Sequence, residues 1–179
     1  TGTVHAAMAD VRLDEVFDEV SRNFRMLAES RGLRLIVRKT DAWVRADRTM
    51  LTRILNNLVS NALRYTDEGG VLVGVRHQRF GQVRIDIWDT GHGIAPEHQT
   101  RVFEEFYQVS HEHAHPGERQ RGLGLGLATV RKLAELLGCR ISLGSTPERG
   151  TVVSLALASG TPTSQSLTRE VPDPPPDVS

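Results

Sequence analysis

Asn57, Asn61 and Arg64 stand at i, i+4 and i+7 within the stretch NNLVSNALRY, residues 56–65. At roughly 100° per helical residue these three form one stripe along a helix. Asparagine is a weak helix former, because its short amide competes for nearby backbone groups, so its repetition here asks for a reason. An amide oxygen is a hard, neutral ligand that suits Mg²⁺, and a guanidinium holds phosphate. A solvated helix face with asparagine as filler fits the same spacing, and the helix by itself does not choose between the two. In DTGHGI, residues 89–94, the carboxylate of Asp89 ends an alternating run and is followed by Gly91 and Gly93. Such a carboxylate can accept a hydrogen bond from an exocyclic amine, and glycines let backbone approach a flat ligand. Asp-x-Gly also makes ordinary turns. In GLGLGL, residues 122–127, alternating glycines open a helical pattern. Free N–H groups and the helix dipole at such a terminus favour an anion. The segment is neither G-x-G-x-x-G nor a Walker loop.

These residues need elements to hold them. Apolar positions Leu13, Val16, Phe17, Val20, Phe24, Leu27 and Ala28 predict a helix over 13–28, which Gly32 would stop. Short strands are expected at 33–37 and 43–44. Asp47 is a natural cap for a helix over 48–65, whose apolar positions are Leu51, Ile54, Leu55, Leu58, Val59 and Ala62. Strands follow at 71–75 and 83–88, then a short helix at 97–106 introduced by Pro96. The segment 108–121 is long for a connection inside a compact domain, which points to a functional or disordered loop. A helix over 125–137 ends at Gly138, and strands at 141–143 and 151–157 flank a turn at 147–150. Residues 159–179 are rich in proline and serine and cannot build a core, so they are expected to be a disordered tail or linker. About three main helices with five or six strands in mixed order predict an α+β sandwich with helices on one face of a sheet.

Bulk composition narrows the classes further. Of 179 residues, 22 are Lys or Arg and 22 are Asp or Glu, so nothing favours general electrostatic capture of nucleic acid. Cys139 is the only cysteine, which excludes an intrachain disulfide and suits a reducing compartment. No apolar run approaches the roughly 20 residues of a membrane helix, and there is no signal-peptide pattern. Because Thr1 is not a natural start, a fragment of a longer chain is expected. A cytoplasmic location fits, with a membrane anchor elsewhere in the parent left open.

In order along the chain, NNLVSNALRYT, DTGHGIA, FEEFYQ, RGLGLGLATVRKLAELLG and GSTPERGTVVSLALA resemble five motifs of one domain. They look like the N box, first glycine box, F box, second glycine box and closing strand-turn-strand of the ATP-binding catalytic domain of sensor histidine kinases. That domain belongs to a superfamily shared with DNA gyrase B, Hsp90 and MutL. The resemblance covers 13–158. It implies a two-layer α/β sandwich of the Bergerat type, a mixed sheet covered by about three helices, with a mobile lid over ATP. By the same resemblance Asn61 would coordinate Mg²⁺ and Asn57 would line the phosphate pocket, the pair forming the catalytic centre. Arg64 would contact phosphate and Tyr65 would pack near the nucleoside. Asp89 would accept from the adenine amino group, above a loop closed by Gly91 and Gly93. Gly122, Gly124 and Gly126, with backbone N–H groups of Leu123 and Leu125, would hold the triphosphate. Thr151 would support the adenine site through its hydroxyl. Phe103 and Phe106 would couple the lid to nucleotide, or serve as plain core.

The implied function is a protein-histidine kinase of a two-component system. The family's phosphoacceptor histidine lies on a separate dimerising hairpin, in a motif this chain lacks; His5 has neither the acidic neighbour nor the downstream proline. Residues 1–12 would be a remnant of that hairpin or a linker. Implied partners are the upstream dimerisation domain, in a homodimeric parent, and the receiver domain of a response regulator, with no nucleic acid. Where ATP-hydrolysing relatives carry a glutamate that activates water, this chain has Asn57, and an amide cannot be a general base. That argues against a clamp of the gyrase or Hsp90 type. The run-in of helix 13–28 argues against a serine kinase of the anti-sigma class. Gln108, where the family often has arginine, leaves open a regulatory module that binds ATP only to set conformation. His111, His113 and His115, with His98, fit either a transition-metal site or solvated loop side chains.

Overall fold

The computed structural model describes residues 2–105, 107 and 126–162. In chain order the elements are β1 (Ala9–Arg12), α1 (Leu13–Ser30), β2 (Arg34–Val37), β3 (Trp43–Ala46) and α2 (Arg48–Arg64). There follow β4 (Gly70–Gln78), β5 (Gln82–Asp89), α3 (Pro96–Gln99), α4 (Gly126–Leu137), β6 (Arg140–Thr146) and β7 (Gly150–Ala158). Five strands form one sheet in the order β2-β4-β5-β7-β6, while β1 and β3 make a separate antiparallel pair. Only β2 runs parallel to its neighbour in the larger sheet, so that sheet is mixed.

The sheet's inner face carries Val71, Val73, Ile85, Ile87, Val153 and Leu155, all buried against the helices. From α2 come Leu51, Ile54, Leu55, Leu58 and Val59, each no more than 2% exposed. Helix α2 packs on α1 and on α4 and also touches β4 and β5. It is therefore the central beam of the helical layer. The architecture is the α+β sandwich that the apolar periodicities predict.

Local chemistry sets the element ends. Asp47 accepts from the Met50 N–H at 3.0 Å and caps α2, as its position suggests. Its other oxygen accepts from the Ala7 N–H at 2.8 Å, tying the incoming chain to the same cap. Helix α1 closes with the Gly32 N–H on the Glu29 carbonyl and the Leu33 N–H on that of Ala28. Gly32 adopts φ +65° there, and α4 ends in the same way at Gly138.

Two elements depart from the sequence expectation. Residues 9–12, placed ahead of the domain, form β1, whose register pairs Val11 with Val44. Four residues are too few to show an alternating pattern, and only Val11 of them is buried. The helix expected over 97–106 stops at Gln99 and continues as turns, with Arg101 and Val102 N–H groups both reaching the His98 carbonyl. Only Val102 of that stretch is buried among the described residues, too little packing to sustain so short a helix. The segment 108–121 and residues 163–179 lie outside the described residues.

Asp47 is held below the usual carboxylate range by the N–H groups of Met50 and Ala7. Replacing it as Asp47→Ala should cost about 1 kcal/mol of unfolding free energy at neutral pH, the usual worth of an N-cap. Denaturant titration should show the gap to wild type closing as pH falls through the lowered pKa, where the native cap loses its charge.

Candidate functional site

The asparagines divide by direction. Asn56 points toward α1, where the Asn23 side chain approaches it at 3.4 Å. Asn57 and Asn61 lie half-buried at the edge of the apolar face. A methyl group built on Gly126 would sit 3.5–3.6 Å from the amide atoms of Asn61, so the start of α4 abuts the asparagine stripe. Arg64 falls in the last turn of α2 and Tyr65 follows it, the latter 39% exposed. Gly122, Leu123, Gly124, Leu125, Phe106 and Gln108, and the histidines at 111, 113 and 115, lie outside the described residues. Among the described residues no three His, Cys, Asp or Glu side chains converge on a metal-sized site.

Asp89 ends β5, and its Oδ1 accepts from the Gly91 N–H at 2.9 Å and the Thr151 N–H at 3.2 Å. One oxygen thus fixes the turn after β5 to the start of β7. Among the described residues Oδ2 accepts no hydrogen bond, which leaves a half-buried acceptor for an incoming N–H donor. Burial raises the carboxyl pKa, opposed by those two N–H groups and by nearby His92.

The glycines predicted here are required by space. A Cβ on Gly91 would lie 2.3 Å from the Tyr65 carbonyl oxygen, so this loop must press directly on the end of α2. Gly93 adopts φ +70°, and a Cβ there would meet the Thr146 carbonyl at 2.2 Å. The His92 N–H also reaches the Tyr65 carbonyl, at 3.3 Å. Thus the loop after β5 lies against the α2 terminus on one side and the β6–β7 turn on the other.

Residues beyond those predicted complete the frame. The hydroxyls of Thr151 and Ser145 are 2.7 Å apart, and the Ile94 N–H donates to Ser145 Oγ at 2.7 Å. The Gln99 amide spans the Ile94 and Ser145 carbonyls. Thr66, fully buried, returns its hydroxyl to the Ala62 carbonyl at 2.7 Å. His92 contacts the Asp67 carboxylate at 2.9 Å, joining the end of α2 to the glycine loop. No spacing rule could have flagged Ser145 or Asp67, because their roles come from contacts between distant segments. Phe103 lines an open groove of about 470 Å³ with Ala134, Cys139, Ile141 and Leu143. Burial pushes the Cys139 thiol up to about 11, so it is an inert neighbour.

Comparison with known proteins places this geometry. Residues 46–160 match the family model described as histidine kinase-, DNA gyrase B- and HSP90-like ATPase. The sensor-like histidine kinase SenX3 of Mycobacterium tuberculosis is 35% identical over 159 residues, which cover 84% of this chain and 36% of SenX3. The chain therefore spans little more than a third of that relative. Full-length ShkA in complex with AMPPNP superposes with a TM-score of 0.77 at 27% identity, covering 90% of this chain and 33% of ShkA. The histidine kinase ThkA, solved with the response regulator protein TrrA, gives a TM-score of 0.69 at 25% identity over 87% of this chain and 42% of ThkA.

Because burial raises the Asp89 pKa, its charge costs folding free energy above that pKa and the cost fades as pH falls toward 3.8. At pH 7 the Asp89→Asn variant should therefore unfold at or above the wild-type temperature. On acidification wild type should gain on the variant, as thermal melts by circular dichroism at neutral and acidic pH will show.

Proposed function

Since the chain belongs to the histidine kinase-, DNA gyrase B- and HSP90-like ATPase family, we propose that it is the ATP-binding catalytic domain of a two-component sensor histidine kinase. It binds MgATP and delivers the γ-phosphoryl group to a histidine on a separate dimerisation domain. The parent is a homodimer that passes the group on to the receiver domain of a response regulator. The reading rests chiefly on Asp89, a half-buried carboxylate whose Oδ1 is fully engaged and whose Oδ2 awaits a donor. The adenine amino group supplies that donor, and guanine, with a carbonyl at the same place, does not. The AMPPNP complex of ShkA and the TrrA complex of ThkA support the nucleotide and the partner.

In this reading Gly91 and Gly93 form the floor under the base, held flat by the Thr151–Ser145–Ile94 hydrogen bonds. Tyr65 borders the nucleoside, and Arg64 meets a phosphate. Gly126 brings the first turn of α4 beside Asn61. The backbone N–H groups of Gly122, Leu123, Gly124 and Leu125 are assigned to the phosphates on their sequence motif alone. Asn61 fits a single hard oxygen ligand for Mg²⁺, an ion that takes its other ligands from phosphate and water. When bound, the ion offsets charge on the phosphates during transfer. Asn57 orients phosphate oxygens and, lacking a titratable oxygen, does not activate water. The group is thereby kept for a protein histidine instead of hydrolysis.

No helix among the described residues is long and apolar enough to cross a membrane. We place the domain in the cytoplasm, where ATP is available.

Calorimetry will test the residue roles. Asn61→Ala should abolish Mg²⁺-dependent ATP binding with an unchanged circular dichroism spectrum. Asp89→Asn should weaken ATP binding by about 1–3 kcal/mol, the worth of a charged hydrogen bond, and narrow the preference over GTP. Incubating the parent protein with MgATP should label a histidine outside this chain; intact ATP binding without any phosphohistidine would defeat the kinase reading.

A further inference from the structure

The helices cover one face of the five-stranded sheet, and the opposite face is organised around arginine. Register aligns Ile36, Leu72, Trp88 and Val152 as an unbroken apolar row across β2, β4, β5 and β7. Trp88 is 42% and Ile36 43% exposed, whereas an antiparallel sheet facing water ordinarily alternates to polar side chains there. Two register steps further, Gly74, Asp86, Ser154 and Ser142 form a row of small or spent side chains. Beyond it lie Arg76, Arg84, Ala156 and Arg140 in register. Arg38 packs over Gly74, and Arg34 borders the apolar row on its other side.

Charge on this face is one-sided in a chain whose total is zero. Asp86 is the carboxylate among these rows; it is 2% exposed and engaged by Arg84 at 2.9 Å, Arg76 at 3.5 Å and Ser154 at 2.6 Å. Arg34, Arg38 and Arg140 make no ion pair among the described residues. An apolar strip rimmed by uncompensated cations, over a floor of glycine, serine and alanine, is a surface shaped for a narrow element to lie on.

We propose that this open sheet face docks an acidic protein segment, one that sets an apolar side chain on the Trp88–Val152 strip and carboxylates on Arg34, Arg38 and Arg140. The strip lies between arginines within the sheet and not at a projecting loop tip, which favours a protein strand or helix over a lipid surface. Docking here is not remote from the nucleotide site. Trp88 and Val152 each adjoin, on the same strand, the two residues that are hydrogen-bonded to one another, Asp89 and Thr151. The docking itself is independent of what those two residues bind.

The test uses a Trp43→Phe background, which leaves Trp88 as the sole tryptophan emitter. The probe is a short peptide of alternating Glu-Glu and Leu-Leu pairs, with a Lys-for-Glu version as control. Binding should shift Trp88 emission to the blue and move the amide resonances of Leu72, Trp88 and Val152, while the lysine peptide should do neither. The double variant Arg38→Glu, Arg140→Glu should weaken binding about tenfold, in keeping with exposed ion pairs turned repulsive. If that variant misfolds, Arg38→Gln and a salt titration of the unmodified chain should each weaken binding in the same direction. Equal binding of the lysine peptide, or resonance shifts confined to other faces, would overturn the proposal. So would a Trp88 response to phosphatidylglycerol vesicles but not to the acidic peptide, or burial of Trp88 by self-association without peptide.

Discussion

A single carboxylate oxygen holds the site together. Asp89 Oδ1 takes N–H groups from Gly91 and Thr151, and so clamps the loop after β5 to the first residues of β7. A charged acceptor in a half-buried place is costly, and the two donors offset only part of that cost, which is why its pKa remains raised. The backbone accommodates the clamp by close approach. A Cβ on Gly150 would sit 2.0 Å from the Asp89 carbonyl, and one on Gly91 would invade the Tyr65 carbonyl. Remove either glycine and the carboxylate can no longer stand where the chain needs it.

Helix α2 does two jobs with one sequence. Its apolar positions form the centre of the core, while Asn57 and Asn61 lie half-buried at its edge, Asn61 beside the start of α4. The weak helix propensity of asparagine is tolerated because burial of Leu51, Ile54, Leu55, Leu58 and Val59 carries the helix. Capping at Asp47 and the buried Thr66 hydroxyl fix where the helix begins and ends, so the stripe has a defined height above the sheet.

Much of this was legible in the residues themselves. Seven-residue and longer amphipathic patterns marked α1, α2 and α4, and strict alternation marked β5, because each element buries a single face. Motif order singled out Asp89, Gly91 and Gly93, and the close packing around them is what the structure adds. What stayed hidden was whatever depends on partners far along the chain. β1 exists because Val11 meets Val44 across a pair of strands, and four residues cannot announce that by periodicity. Ser145 matters only because Ile94, Thr151 and Gln99 converge on it. The turn segment after α3 looked helical by composition but lacks the packing that would have kept it so.

The β1–β3 pair has a mechanical corollary. Ser159 bridges to Val44, Gly160 donates to the Trp43 carbonyl, and Thr161 donates to Asp10. Residues 10 and 161 are thereby neighbours on one ribbon. Tension applied between them meets that ribbon first and, through the Ser159 N–H on the Gly81 carbonyl, enters β5 and β7 at the ends remote from Asp89 and Thr151. Pulling along the polypeptide at those two points would load the ribbon and the far ends of those strands before the pocket.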